Sequence, residues 1–212
     1  MRLDHVSYVA SHDQISDVVN RIGSQIGTAF VDGGIHPKFG TRNFTAPLIN
    51  GQYIEVVCPI DHPATESTPF GLAVRKKLVE GGGWFAWVIS TKNMDTLENS
   101  FGRKAVTGVR RKPNGIELKW KQIGVMDTLD DYQLPYFVEW LSENHPSGDG
   151  EAISQISAIT IAGDFLKISK ITTSDLELMS LNIDWVKPEL NQNETGIIQV
   201  SFIVKNCTVV IV

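Results

Sequence analysis

A chain of 212 residues with 42% hydrophobic and 20% charged side chains has the make-up of a folded globular protein, which excludes disordered and fibrous classes. The net charge of -5 argues against nucleic acid as a partner, and no run approaches the roughly 18 apolar residues of a membrane helix, so no membrane contact is expected. Cys58 and Cys207 lie far apart without metal-ligand spacing and read as free thiols of a cytoplasmic protein, and Met1 to His5 carries no signal segment.

In chain order, Leu3 to Ala10 alternates as a strand, and Ser11-His12-Asp13 offers a helix cap before apolar residues at Ile15, Val18, Val19, Ile22 and Ile26. Thr28 to Val31 reads as a short strand and Asp32-Gly33-Gly34 as a turn. Thr41 to Leu48 and Gln52 to Cys58 read as hairpin strands joined at Asn50-Gly51. Residues 1–58 thus form a β-α-β-β-β module.

Residues 59–83 make a proline-bearing connector with a short helix over Phe70 to Val79 and the run Gly81-Gly82-Gly83. The same order then restarts in 84–144, with strands at Trp84 to Ser90, Ala105 to Arg110, Ile116 to Ile123 and Tyr136 to Leu141, and a helix at Met94 to Phe101. The spacing of Ile15, Val18 and Ile22 matches that of Met94, Leu97 and Phe101, a register that pairs His5 with Trp84 and Glu55 with Glu139. Arg110, Arg111 and Lys112 precede the turn Pro113-Asn114-Gly115 and read as a solvated strand end.

After the loop Asn144 to Gly150, residues 151–212 are β-rich with a polar middle around Thr172 to Leu181 and resemble a degenerate half-module. The apolar end Val209 to Val212 is expected to be buried or to form a homodimer contact. The fold class is therefore α+β, with paired βαβββ modules.

Leu3-Asp4-His5-Val6, the segment Gly33 to Asn43, Tyr53-Ile54-Glu55-Val56-Val57 and Leu134 to Trp140 together resemble the glyoxalase-like domain family of the vicinal oxygen chelate superfamily. The resemblance implies that the modules curl into a cup-shaped mixed sheet. It implies metal ligands at His5, Glu55 and Glu139, with the fourth position falling at Trp84, which cannot bind a metal. A Zn, Mn, Fe or Ni ion would suit an imidazole and two carboxylates, polarise a carbonyl or bind O₂, and leave Glu139 or Glu55 as the catalytic base.

His36, Arg42 and Asn43 supply donors for a substrate near the cup mouth, and Trp84 can line it. Each of these residues also has a plain structural reading. His5 can be a hydrogen-bonded core histidine, Glu55 and Glu139 can face solvent, Arg42 can make an ion pair, and the aromatics Trp84, Phe85, Trp87, Tyr136, Phe137 and Trp140 can be core. His12, His62 and His145 read as surface residues. Two functions stay open: a divalent-metal lyase, isomerase or dioxygenase acting on a small oxygenated metabolite, and a metal-free cup that sequesters a small molecule. No phosphate loop, nucleophile elbow or zincin helix is present.

Overall fold

The computed structural model describes residues 1–169 and 182–212. The first half runs β1 (Arg2–Val9), α1 (Ile15–Ile26), β2 (Val31–His36), β3 (Thr41–Leu48) and β4 (Gln52–Pro59). Helices α2 (Ala64–Ser67) and α3 (Pro69–Val79) fill the connector. The second half runs β5 (Gly83–Ser90), α4 (Met94–Phe101), β6 (Val106–Arg111), β7 (Glu117–Ile123), α5 (Val125–Asp130) and β8 (Tyr136–Trp140). A C-terminal unit follows, with β9 (Ser154–Ala162), α6 (Phe165–Ser169), β10 (Asn182–Val186), β11 (Gly196–Val204) and β12 (Cys207–Ile211). The expected polar stretch Thr172 to Leu181 lies outside the described residues.

The helices begin and end where the local chemistry dictates. In α1, Ile15, Ile22 and Ile26 form one buried stripe, and the helix closes at Gly27, whose positive φ of 68° a side chain would disfavour. In α4 the Asn93 side chain accepts from the Thr96 amide at 3.2 Å, capping the first turn.

One expected boundary moves. Asp32-Gly33-Gly34 is not a turn but the middle of β2, with a bulge between Asp32 and Gly34. Glycine here answers a packing demand, because a Cβ on Gly33 would collide with the side chains of Arg110 and Asn43.

Strands β1 to β8 close into a barrel in the order β1-β4-β3-β2-β6-β7-β8-β5. One seam between the halves is a full antiparallel ladder of β1 on β5, whereas the other, β2 on β6, is held by the single pair Ile35 and Arg111. Alternation along each strand sends one set of side chains inward and the other outward. The inner set packs with α3 into a core that includes Val57, Phe70, Phe85, Val88, Trp120 and Val138.

The outer set, with Trp84, Trp87 and Phe137, packs against α1 and α4 and against the C-terminal sheet, whose order is β10-β9-β11-β12. Trp84 Nε1 donates to the Ile211 carbonyl at 2.9 Å, which fastens β12 to the barrel. The expectation of a buried terminal strand is met only at Ile211, since Val210 and Val212 are 46% and 74% exposed. Among the described residues no helix is long and apolar enough to cross a membrane.

Candidate functional site inside the barrel

The strand pairing fixes how the two halves correspond. His5 pairs with Tyr53 and with Val88, Val88 pairs with Tyr136, Ser7 pairs with Glu55, and Ser90 pairs with Val138. The halves therefore align as His5 with Val88, Tyr53 with Tyr136, and Glu55 with Val138. The helix spacing had led instead to Trp84 and Glu139. Glu139 is one residue out of phase, and in a strand one residue is a change of face.

That change of face sorts the candidates. His5, His36, Asn43 and Glu55 point inward and line one cavity with Tyr53, Arg110, Gln122 and Tyr136. Its walls are Phe39, Phe70, Trp120 and Trp140, and its free space of about 30 Å³ holds about two water molecules. Glu139 points outward beside Lys121, 3.8 Å away. Arg42 also points outward, pairs with Asp32 at 2.5 Å and lies over the Phe44 ring. Trp84 sits under the C-terminal sheet. The barrel does not bring these three to the cavity.

Asp4 joins the site because of a bulge. The β1 to β5 register shifts between Leu3 and His5, which places Asp4 within hydrogen-bonding reach of His5. Asp4 is fully buried and accepts from His5 Nδ1 at 2.9 Å, Trp140 Nε1 at 3.2 Å and His145 Nε2 at 3.2 Å. Burial alone would raise its carboxyl, but the hydrogen bonds and charge of His145 and His5 outweigh it and hold the group well below the usual carboxylate range. An ionised Asp4 fixes the tautomer of His5: Nδ1 carries the proton and Nε2 accepts from the Tyr136 hydroxyl at 3.3 Å. The His5 ring also stacks on Tyr53, with centroids 4.3 Å apart.

Glu55 is the second buried carboxylate. It accepts from Ser7 Oγ at 2.8 Å and from Asn43 Nδ2 at 2.6 Å. Burial would raise its carboxyl, while His5, His36 and these two donors lower it further than burial lifts it. The carbonyl of the same Asn43 accepts from Arg110 Nη1, which also donates to the Gly33 carbonyl at 3.0 Å. Asn43 thus stands between a buried carboxylate and a buried cation. Burial, followed by the Arg110 charge, lowers the His36 imidazole to about 3, so it is neutral near pH 7. Its Nδ1 lies 2.9 Å from Thr41 Oγ1.

Arg110 corrects the reading of the basic cluster as a solvated strand end. Only Arg111 is exposed; Arg110 and Lys112, two residues apart on β6 and beyond, turn into the protein at 2% and 6% exposure. The period of two in Gly108, Arg110 and Lys112 was the available signal. His145, expected at the surface, is half-buried in a segment tied down by its bond to Asp4 and by the Lys112 to Asp149 ion pair. His12 and His62 are exposed, and Cys58 and Cys207 are free thiols.

These residues do not fit a divalent ion of the superfamily type. His5 and Glu55 occupy two of the four ligand positions, but their counterparts Val88 and Val138 offer only methyl groups. His5 Nε2 is directed at a phenol and both Glu55 oxygens accept bonds from Ser7 and Asn43. Among the described residues no group of three or more His, Cys, Asp and Glu is placed to hold a metal, whereas structural and catalytic sites supply three or four ligands.

A family model described as a glyoxalase-like domain matches residues 3–179. No curated protein matches the chain. Among solved structures, the chain is similar to methylmalonyl-CoA epimerase from Mycobacterium tuberculosis, at 14% identity over 65% of this chain and 85% of that one, with a TM-score of 0.43. It is similar to a hypothetical protein from Bacillus halodurans at 13% identity over 68% and 95%, with a TM-score of 0.42. A Streptomyces coelicolor methylmalonyl-CoA epimerase variant in complex with 2-nitronate-propionyl-CoA gives 14% identity over 69% and 98%, with a TM-score of 0.43. With the model matching across both barrel halves, the chain belongs to the glyoxalase-like domain family.

Proposed function

We propose that this protein takes a small organic anion into the barrel and holds it without a divalent ion. The observation that carries this reading is Arg110. Its guanidinium is 2% exposed and has no carboxylate within 4.0 Å among the described residues, only the neutral oxygens of Asn43 and Gly33. A buried cation left so is costly, and an anionic ligand would offset that cost with bidentate, charge-assisted bonds. Tyr136, His5 and Gln122 add polar contacts, and the aromatic walls exclude water.

The test joins elemental analysis of untagged protein, prepared without chelator and then exposed to Mn²⁺, Fe²⁺, Ni²⁺ and Zn²⁺, with NMR titration by acetate and other small carboxylates. The reading expects no stoichiometric metal, saturable shifts of the Arg110 Nε–H signal, and loss of carboxylate binding in Arg110→Met. Near-stoichiometric metal lost in His5→Ala and Glu55→Gln would overturn it in favour of a metal-dependent lyase, isomerase or dioxygenase.

One observation favours turnover as a second reading. Asp4, His5 and Tyr136 form a line along which a ligand C–H beside a keto group can pass its proton to the phenolic oxygen while the phenolic proton moves to His5 Nε2, the electron pair left behind is held as the enolate, and Asp4 stabilises the imidazolium. The Tyr136 phenol itself, raised well above its ordinary value by burial and by Glu55, stays protonated at rest. Deuterium wash-in from D₂O at the carbon next to the keto group of keto carboxylates, read by NMR, should then occur and vanish in Tyr136→Phe. No wash-in across the panel leaves binding alone.

A further inference from the structure

A second cavity of about 160 Å³ lies beside the first and shares Phe39, Phe70 and Gln122 with it. It opens where the barrel wall is incomplete. Strand β6 meets β2 only at Ile35 and Arg111, so the stretch from Val106 to Val109 has no β2 partner, and the gap is bounded by the start of α3, the end of β7 and the start of α5. Its lining is apolar, with Val106, Val125 and Met126 beside the two phenylalanines. Arg103 and Lys104 stand at its rim but are already paired with Asp127 and Glu98.

The inner face of β6 runs from one cavity to the other. Arg110, Gly108 and Val106 alternate onto that face, spanning about 13 Å at the rise of a strand. Gly108 carries no side chain, and the Trp120 indole lies against its backbone in the space a Cβ would take. The track therefore has a cation at one end, a gap covered by one indole in the middle, and an apolar groove at the other end. Trp120 Nε1 donates to Gln122 Oε1 at 2.8 Å, a bond between two residues that both face the passage.

We propose that the ligand is an amphipathic carboxylate, with its anionic head at Arg110 and its apolar arm laid along β6 past Gly108 into the groove between α3 and α5. The inference rests on the reading of the barrel as an anion site and adds the second half of the molecule it takes. The central space, with room for about two waters, admits a carboxylate head but no arm, and the adjoining groove is close in size to a cavity of about 150 Å³ that accepts benzene. The Trp120 indole must rotate away from Gly108 when the arm is seated.

The probes are acetate, butyrate, hexanoate, octanoate and decanoate, each below its aggregation threshold and titrated by NMR into the full-length protein. Hexanol and octanol serve as uncharged controls. Affinity should rise about three- to fourfold per methylene group and level off at about ten carbons, the reach of the strand between Arg110 and Val106. From butyrate onward the Trp120 indole and Val106 amide signals should move together with the Arg110 side chain. Val106→Trp, at a half-exposed position that tolerates bulk, should flatten the chain-length dependence. Equal affinity across the series, or longer acids excluded while acetate binds, overturns the inference and leaves the anion site standing. No binding at any length overturns both.

Discussion

The two halves of the barrel share a topology and differ in what they put inside it. The first half places His5, His36, Asn43, Glu55 and, through a bulge, Asp4 at the centre, whereas the second places Val88 and Val138 at the positions that answer His5 and Glu55. The second half returns one charge from elsewhere, Arg110 on β6. A repeated backbone thus guarantees equivalent directions for side chains but not equivalent chemistry. One half became a hydrogen-bonded polar wall with two buried carboxylates, and the other a largely apolar wall that carries a single cation beside the neutral Gln122 and Tyr136.

The largest expected effect comes from removing the charge that organises the polar wall. Asp4→Asn leaves the donors of His5, Trp140 and His145 around a neutral group and should cost about 3–5 kcal/mol in denaturant unfolding. A change below about 1 kcal/mol would show that the wall is not held by that carboxylate.

Next in size is the pH dependence of the same wall. His36 has its imidazole lowered from 6.5 to about 3, so the unfolded chain binds more protons between those values and stability should fall as pH drops through that window. Glu55, also lowered from its ordinary 4.5, adds to the same loss further into acid. Between pH 6.5 and 5 the slope of unfolding free energy should flatten by up to about one proton in His36→Gln. An unchanged slope would place the titrating group elsewhere.

The two glutamates give the sharpest contrast between the halves. Glu55→Gln keeps the shape but loses a buried, doubly bonded carboxylate and should cost about 1–3 kcal/mol. Glu139→Gln removes an outward group 3.8 Å from Lys121 and should stay within about 0.5 kcal/mol, with carboxylate binding unaltered. Equal losses in both would contradict the assignment of faces.

Much of the scaffold was legible in the residues. Alternation marked β1, strands were read at β3, β4 and β5, the Ile15, Ile22 and Ile26 stripe marked α1, and Asn50-Gly51 marked the hairpin. The short α5 was not seen, and β2 was misplaced because two glycines that signal a turn by composition answer packing demands instead, Gly33 leaving room for the Arg110 and Asn43 side chains and Gly34 for the Arg111 backbone. Of the expected site, His5, His36, Asn43 and Glu55 do meet inside the barrel, while Arg42, Trp84 and Glu139 do not.

The sequence by itself determined the order of elements, the repeat and the alternation, because these depend on spacing along the chain. Which residues share the cavity was decided by closure of the barrel. Strand register, the bulge that brings Asp4 beside His5 and the alignment of Glu55 with Val138 are set by pairing partners far apart in sequence, and a shift of one residue reverses the face of every side chain in the strand. The depth of Arg110 was decided in the same way, since a cation enters a barrel only when carbonyls from two other strands are there to receive it.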